Sequence, residues 1–282
     1  MDLRRFDDPA RFFDHVRPFL LTREAHHALI LSICARLIAT PEQFVGMPYL
    51  AAVEARGAVV AVAVMTPPHN VALSLAVPDA LPLIAADLHA RYGTLPGVHG
   101  PHDISRAFAE HWQQVSGQPF RPGLGMRIYQ LTRVIPVTGV AGRLRRATEE
   151  DRDLMIAWME AFGGETGTGG DAMRGIDLRL NDPRRALYLW EDGRPVSMAA
   201  QDGPIPHGIR VNAVYTPPEY RRRGYASACV ATLSQHLLDS GYHFCALFAD
   251  LANPTSNHVY QAIGYQPVCD ANDYVFLPPA SP

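Results

Sequence analysis

Six residues, Arg221-Arg222-Arg223-Gly224-Tyr225-Ala226, join a β-branched, apolar run at 211–216 to a long amphipathic segment at 227–240. A strand, a tight glycine-bearing turn and a helix start in that order form an α/β junction. The first helical N–H groups there have no intrahelical partner and point into the turn, and the helix dipole adds roughly half a positive charge. Phosphate suits such a place. Gly224 lets the backbone close up, Ala226 keeps the first turn slim, and Arg221, Arg222 and Arg223 supply charge-assisted donors for phosphate oxygens.

The missing residue type narrows the ligand. All 25 basic side chains are arginine, and the chain has no lysine. A Walker-type nucleotide site needs its lysine at the β- and γ-phosphates, and Schiff-base chemistry needs a lysine amine. The turn is not G-x-G-x-x-G, and no acidic residue about 20 positions on is placed to read a ribose. The Ser-His-Asp hydrolases are excluded as well, for want of a G-x-S-x-G elbow.

Three further groups of residues follow in order. Val214-Tyr215-Thr216 precedes the turn, Asn253-Pro254-Thr255-Ser256-Asn257-His258-Val259-Tyr260 comes after it, and Gly264-Tyr265 closes the set. With Arg221-x-x-Gly224-x-Ala226, this ordered combination resembles the GNAT superfamily of acyl-CoA-dependent N-acyltransferases over about residues 143–278. The resemblance implies a mixed sheet flanked by helices, with acetyl-CoA as co-substrate and a primary amine of a small molecule or peptide as acceptor. A non-catalytic acyl-CoA-binding module is the alternative. Acetylation of a protein N-terminus or a lysine side chain is a third reading, and it would require an open acidic groove.

The elements read in the same order twice, so the expected architecture is α/β with two tandem GNAT-like domains, 1–135 and 143–282, joined where Pro, Thr and Gly accumulate. A chain of 282 residues with 48% hydrophobic content is long enough for two such cores. The first half has Pro78-Asp79-Ala80-Leu81-Pro82 where the second has its arginine turn, and Trp112 rather than a tyrosine in its last helix. It is therefore expected to lack a phosphate cradle. A net charge of −3, with no basic run beyond the turn, argues against nucleic-acid binding. Four scattered cysteines without a C-x-x-C pair fit buried thiols in a reducing compartment. The longest apolar helical run, 28–39, is short and holds Arg36, and no apolar segment follows the first residues, so the expectation is a cytoplasmic protein without a membrane segment. Composition suggests a GC-rich bacterial genome. Oligomeric state is not legible.

By resemblance, the backbone of Val214, Tyr215 and Thr216 holds pantetheine and offers an N–H to the thioester oxygen as charge develops. The pyrophosphate lies on the N–H groups of Arg222, Arg223, Gly224, Tyr225, Ala226 and Ser227. Asn253 hydrogen-bonds the pantetheine arm, and Asn257 either joins it or caps the next helix. Arg222 stands where relatives often carry glycine. Tyr260 matches the general acid for the departing thiolate. The base is less legible: where some relatives place a glutamate, this chain has Arg210 and Phe248. Glu165 and Asp171, in and beside the Gly-rich stretch 163–170, are the candidate groups for binding or deprotonating the amine, with loss of the proton through water as the other route. The cluster around His99, His102 and Asp103 offers too few ligands for a metal site, and none is expected.

Overall fold

The computed structural model describes residues 1–167 and 171–279. In chain order the elements are β1 (Asp2–Arg5), α1 (Pro9–Leu21), α2 (Ala28–Ala39), β2 (Tyr49–Ala55), β3 (Ala58–Met65), β4 (Val71–Leu73), α3 (Leu81–Tyr92), β5 (Gly97–Pro101), α4 (His102–Ser116) and β6 (Phe120–Leu131). Then follow β7 (Arg143–Arg146), α5 (Arg152–Thr166), α6 (Ala172–Asn181), β8 (Leu187–Glu191), β9 (Pro195–Pro204), β10 (Gly208–Tyr215), α7 (Tyr225–Asp239), β11 (Phe244–Asp250), α8 (Pro254–Ala262) and β12 (Gln266–Phe276). The order β-α-α-β-β-β-α-β-α thus occurs twice, and the pairings repeat with it. Strands β1 to β4 pair antiparallel in sequence and β4 pairs parallel with β5; β7 to β10 pair antiparallel in sequence and β10 pairs parallel with β11. This is the mixed α/β architecture expected from the sequence. Each repeat has one helix more than the sequence suggested, α1 and α6.

The compact units are Met1–Ile128 with Ala249–Ala252 and Val268–Pro282, and Tyr129–Phe248 with Asn253–Pro267. The expected domains, 1–135 and 143–282, kept the C-terminal strand in the second half; here β12 pairs antiparallel with β5, Ala271 opposite Pro101 through Val275 opposite Gly97, and belongs to the first unit.

In the first unit, Asp8 caps α1 by accepting from the N–H groups of Ala10 and Arg11, with Pro9 at the first helical position. Phe12, Val16 and Leu20, four apart, form its buried stripe. The core gathers Leu81, Ile84 and Leu88 of α3 with Phe108 and Trp112 of α4. Phe276 of β12 closes it, its ring 5.7 Å from that of Trp112. Asp103 lies inside the first turn of α4, whose N-cap is Pro101.

In the second unit, Met155 and Trp158 of α5 and Ile176 of α6 pack on Leu187, Leu189, Met198 and Ala200 of the sheet. Helix α7 buries Cys229, Val230, Leu233 and Leu237. All four cysteines are free thiols; burial pushes those of Cys34, Cys229 and Cys245 up to about 12 and that of Cys269 to about 11. Among the described residues, no helix is long and apolar enough to cross a membrane, and no three His, Cys, Asp or Glu side chains are grouped to hold a metal ion.

Candidate active site

The site is built where β10 ends. Its register with β9 slips between Asn212 and Tyr215, and Ala213 there takes a left-handed φ of 49°. A bulge of this kind bends and twists the strand locally. On its other side, β10 is in parallel register with β11 only from Gly208 opposite Phe244 to Arg210 opposite Ala246, while the strands continue to Tyr215 and Asp250. The two strands therefore part beyond Arg210, and the main chain at the bulge is left open on that side. Further along, the Ser197 hydroxyl donates to the Tyr215 carbonyl at 3.1 Å and shares a 2.8 Å hydrogen bond with Thr216 Oγ1, and Arg221 Nε donates to the Thr216 carbonyl at 2.8 Å. Two of the three carbonyls at 214–216 are thus engaged within the protein, and Val214, half-buried on the bulge, carries the open stretch.

Between β10 and α7 the backbone turns through two left-handed residues, Arg222 at φ 62° and Gly224 at φ 79°. Left-handed residues set close together aim successive N–H groups into one concavity, an anion nest. The left-handed φ at Arg222 gives the physical reason that glycine suits this position, and its side chain is exposed. Gly224 is the N-cap of α7, and no side chain caps the first turn. A Cβ at Gly224 would lie 2.9 Å from Cγ2 of Val140, so sterics as well as φ demand glycine.

Arg221 is a strut. Besides its bond to Thr216, it donates through Nη2 to both carboxylate oxygens of Glu165 at 2.6 and 2.8 Å, and its guanidinium lies 5.8 Å from the centre of the Tyr215 ring. Tyr225 turns its hydroxyl to Asp192 Oδ2 at 2.7 Å, fastening α7 to the β8–β9 turn; that bond, with burial, raises the phenol. Arg222 and Arg223 are exposed, and Ala226 and Ser227 are half-buried in the first turn.

Tyr260 lies on α8 in an aromatic group, its ring 6.0 Å from Tyr265 and 6.3 Å from Tyr129. The residue is 7% exposed, and burial pushes its phenol above the usual range. Its neighbours are tied down: Tyr265 Oη bonds Ser234 Oγ at 2.9 Å, and Tyr129 Oη donates to Asn257 Oδ1 at 2.8 Å and accepts from Gln261 at 2.9 Å. The Tyr260 hydroxyl has no hydrogen-bond partner among the described residues. Asn253 is the N-cap of α8, its Oδ1 accepting from Ser256 N at 3.0 Å with Pro254 at the first helical position. That settles the cap in favour of Asn253; Asn257 sits one turn in and donates to the Asn253 carbonyl at 2.8 Å. The Asn253 amide nitrogen keeps its donors, while the oxygen is committed.

Neither candidate carboxylate stands on a loose Gly-rich loop. Glu165 is in the last turn of α5, held by Arg221, and Asp171 caps α6 by accepting from Arg174 N at 3.0 Å. Residues 168–170 lie outside the described residues. Arg210 rests its guanidinium 5.1 Å from the centre of the Phe248 ring.

The FR47-like protein family matches residues 195–275, which run from β9 to β12 and include the bulge, the turn, Asn253 and Tyr260. No curated protein matches the chain. Among solved structures, a Drosophila protein of 14% identity superposes with a TM-score of 0.67 over 99% of both chains. A GCN5-related N-acetyltransferase from Sphaerobacter thermophilus, 13% identical, gives 0.61 over 97% of this chain and 94% of its own. A GNAT-family acetyltransferase from Colwellia psychrerythraea, 10% identical, gives 0.58 over 98% and 99%. The chain has the GNAT fold.

At the first of the two strand–helix junctions, most main-chain donors are taken within the protein. After β4, the N–H of Ser74 donates to Val62 O at 3.0 Å, that of Leu75 to Nε2 of the buried His27 at 3.2 Å, and that of Val77 to Val60 O at 3.3 Å. Residues 74–80 contain no left-handed residue, and Pro82 enters the first turn of α3. The sequence flagged the missing arginine turn but carried no sign of His27. Tyr129, Asp192 and Ser197 also escaped it, since each acts through a partner far away in the chain.

Proposed function

We propose that this protein is an acetyl-CoA-dependent N-acetyltransferase that acylates a primary amine of a small molecule or peptide by direct attack on the thioester. The observation that carries the reading is the coincidence, in one unit, of a strand that bulges and parts from its neighbour with an uncapped helix start reached through left-handed Arg222 and Gly224. A diphosphate suits the second feature, an uncapped helix start reached through two left-handed residues. An extended amide chain fits the first, where main chain at Val214 is open and Asn253 retains its amide donors. Acetyl-CoA would supply the activated acyl group.

In the reaction, the C–N bond forms as the C–S bond breaks, the amine loses a proton and the sulfur leaves as thiolate. Tyr260 holds a proton that no protein group has claimed. Its phenol is raised above 10, whereas an ordinary thiol titrates near about 8.5, so complete transfer to sulfur is uphill. Tyr260 therefore serves by hydrogen-bonding the developing thiolate, a contribution made in the transition state and absent in the thioester. Glu165 and Asp171 are both engaged, and the amine proton leaves to water. The free buried thiols fit a cytoplasmic setting.

Titration calorimetry with CoA, followed by thiol-release assays with acetyl-CoA and a panel of amines, tests the reading. Tyr260→Phe should cut kcat by roughly 10²-fold or more while leaving CoA affinity within a factor of two or so. CoA binding without thiol release from any amine would favour a sensing module. No binding of CoA would refute the assignment.

A further inference from the structure

Three arginines converge on the face of the second unit covered by α5 and α6. Arg179 of α6 is buried and donates through Nη1 to the carbonyls of Arg185 and Gln201 at 3.3 and 3.2 Å, and through Nη2 to Asn212 Oδ1 at 3.4 Å. Arg185 Nε and Arg210 Nη1 share one carboxylate, Asp202, at 3.1 and 3.4 Å. The side chains of Arg185, Asp202 and Arg210 are 13%, 11% and 15% exposed. Arg185 Nη1 and Arg210 Nε are buried and have no hydrogen-bond partner.

A guanidinium does not deprotonate in a protein, so it cannot escape burial by giving up its charge. Two such groups on one carboxylate leave an excess of positive charge, and each unpaired N–H adds the cost of a buried donor without an acceptor. A cluster of this charge and donor geometry suits an anion. Its place in the fold ties it to the opening between β10 and β11. Arg210 is the last residue of β10 in register with β11, and Phe248, two positions beyond Ala246 on the partner strand, lies under its guanidinium. Asp202 and Asn212 belong to the same face, opposite Arg210 and Ala200 in the β9–β10 ladder. The unpaired donors thus lie where the two strands begin to part.

We propose that this cluster receives an anionic group, carboxylate or phosphate, of the amine acceptor, so that the acceptor is an amino acid or an aminoalkyl phosphate and not a neutral or polycationic amine. The proposal rests on the acyl-transfer reading for what the anion is attached to. The arginines hold the acceptor by its far end and leave the amine to reach the opening between the strands. They are specificity groups and take no part in bond making.

Thermal-shift titrations separate the possibilities, because they need no turnover. The probes are a set of α-amino acids, 2-aminoethyl phosphate, the corresponding amino acid amides and spermidine, each with and without CoA. The expected result is a saturable rise in melting temperature with the carboxylates or with the phosphate, and none with the amides or spermidine. Which anion wins identifies the acceptor class. Arg210→Gln and Arg185→Gln should each weaken the effect at least tenfold, Arg210→Lys should retain part of it, and calorimetric CoA affinity should be unchanged in all three. Equal stabilisation by amides, or an anion effect that survives both glutamine variants, overturns the proposal. A purely structural cluster would instead show a fall in melting temperature on Arg210→Gln with no ligand effect in the wild type. Absence of CoA binding in the wild type would refute the acyl-transfer reading, and the anion result, read without CoA, would still be decided by the same variants.

Discussion

Acidification should loosen the first unit through one histidine. His27 is 1% exposed, and both ring nitrogens are used: Nδ1 lies 2.8 Å from the Leu20 carbonyl and Nε2 accepts the Leu75 N–H at 3.2 Å. The ring is thus held as the neutral Nδ1–H form, and a proton on Nε2 would face the Leu75 N–H. Burial, the dominant cause, lowers its pKa from 6.5 to about 4. The folded pKa lies below the unfolded one, so between those values the unfolded chain binds a proton that the folded chain refuses. Stability is full above about pH 6.5 and falls as pH drops towards 4. At about 1.36 kcal/mol per unit, the loss reaches ~2 kcal/mol by pH 5 and ~3 kcal/mol by pH 4. That is a large share of the roughly 5–15 kcal/mol that stabilises an ordinary domain. Urea unfolding of wild type and His27→Gln at about pH 7.5 and pH 5 isolates the effect. His26, also lowered, is common to both proteins, and the carboxylates with depressed pKa, Asp151, Asp182, Glu191 and Asp270, remain ionised at pH 5. The wild type should lose ~2 kcal/mol more than the variant. Equal losses would show that His27 is not the refusing group.

Gly224→Ala should cost about 1–2 kcal/mol for the left-handed conformation and weaken CoA binding by calorimetry, because Val140 must move to admit the Cβ. Glu165→Gln should change stability by no more than about 1 kcal/mol, since the Glu165–Arg221 pair is nearly half exposed. The same variant should leave the acid limb of the pH–rate profile in place; a displaced limb would make Glu165 the base after all. Gly97→Ala should destabilise the first unit by roughly 1–3 kcal/mol in urea titrations, because a Cβ there would lie 2.4 Å from the Tyr274 carbonyl of β12. An unaffected variant would contradict the placement of β12 beside β5.

The catalytic-side elements were legible because their signals are local. The alternating run at β10, the Gly224 turn and the amphipathic α7 each lie within a dozen or so residues. The cap of α8 was not read: Asn257 stood as the candidate in sequence, whereas Asn253, followed by Pro254 at the first helical position, is the N-cap. Helix α6 was hidden by the glycines that precede it and by Gly175 within it. The partner of β12 could not be read, because strand register is fixed by contacts about 170 residues apart, as between Asp273 and His99. The arginine cluster was invisible for a related reason: Arg179, Arg185 and Arg210 are separate in sequence and come together only when the fold brings them to one face. Tyr129 carries no sequence signal at all, yet it orients Asn257 and Gln261 on the helix that bears Tyr260.

The strand–helix junctions of the two repeats take up their main-chain donors differently. Both follow the fourth antiparallel strand of a repeat and lead into a helix that returns to a parallel neighbour. At the first, strand pairing reaches past β4 to Val77, and a histidine ring takes the Leu75 N–H that pairing leaves over. At the second, pairing is interrupted by the Ala213 bulge, and two left-handed residues turn the next N–H groups inward without a side chain to meet them. Buried backbone donors are almost always satisfied, whereas Arg222, Arg223 and Gly224 are exposed, so their N–H groups stand open to water or to an anion. Replacing His27 would free one N–H in the first unit but would supply neither the bulge nor the left-handed pair. His27→Gly should therefore weaken that unit without adding a second CoA to the calorimetric stoichiometry, and a rise from one site to two would refute this account of the fold's two halves.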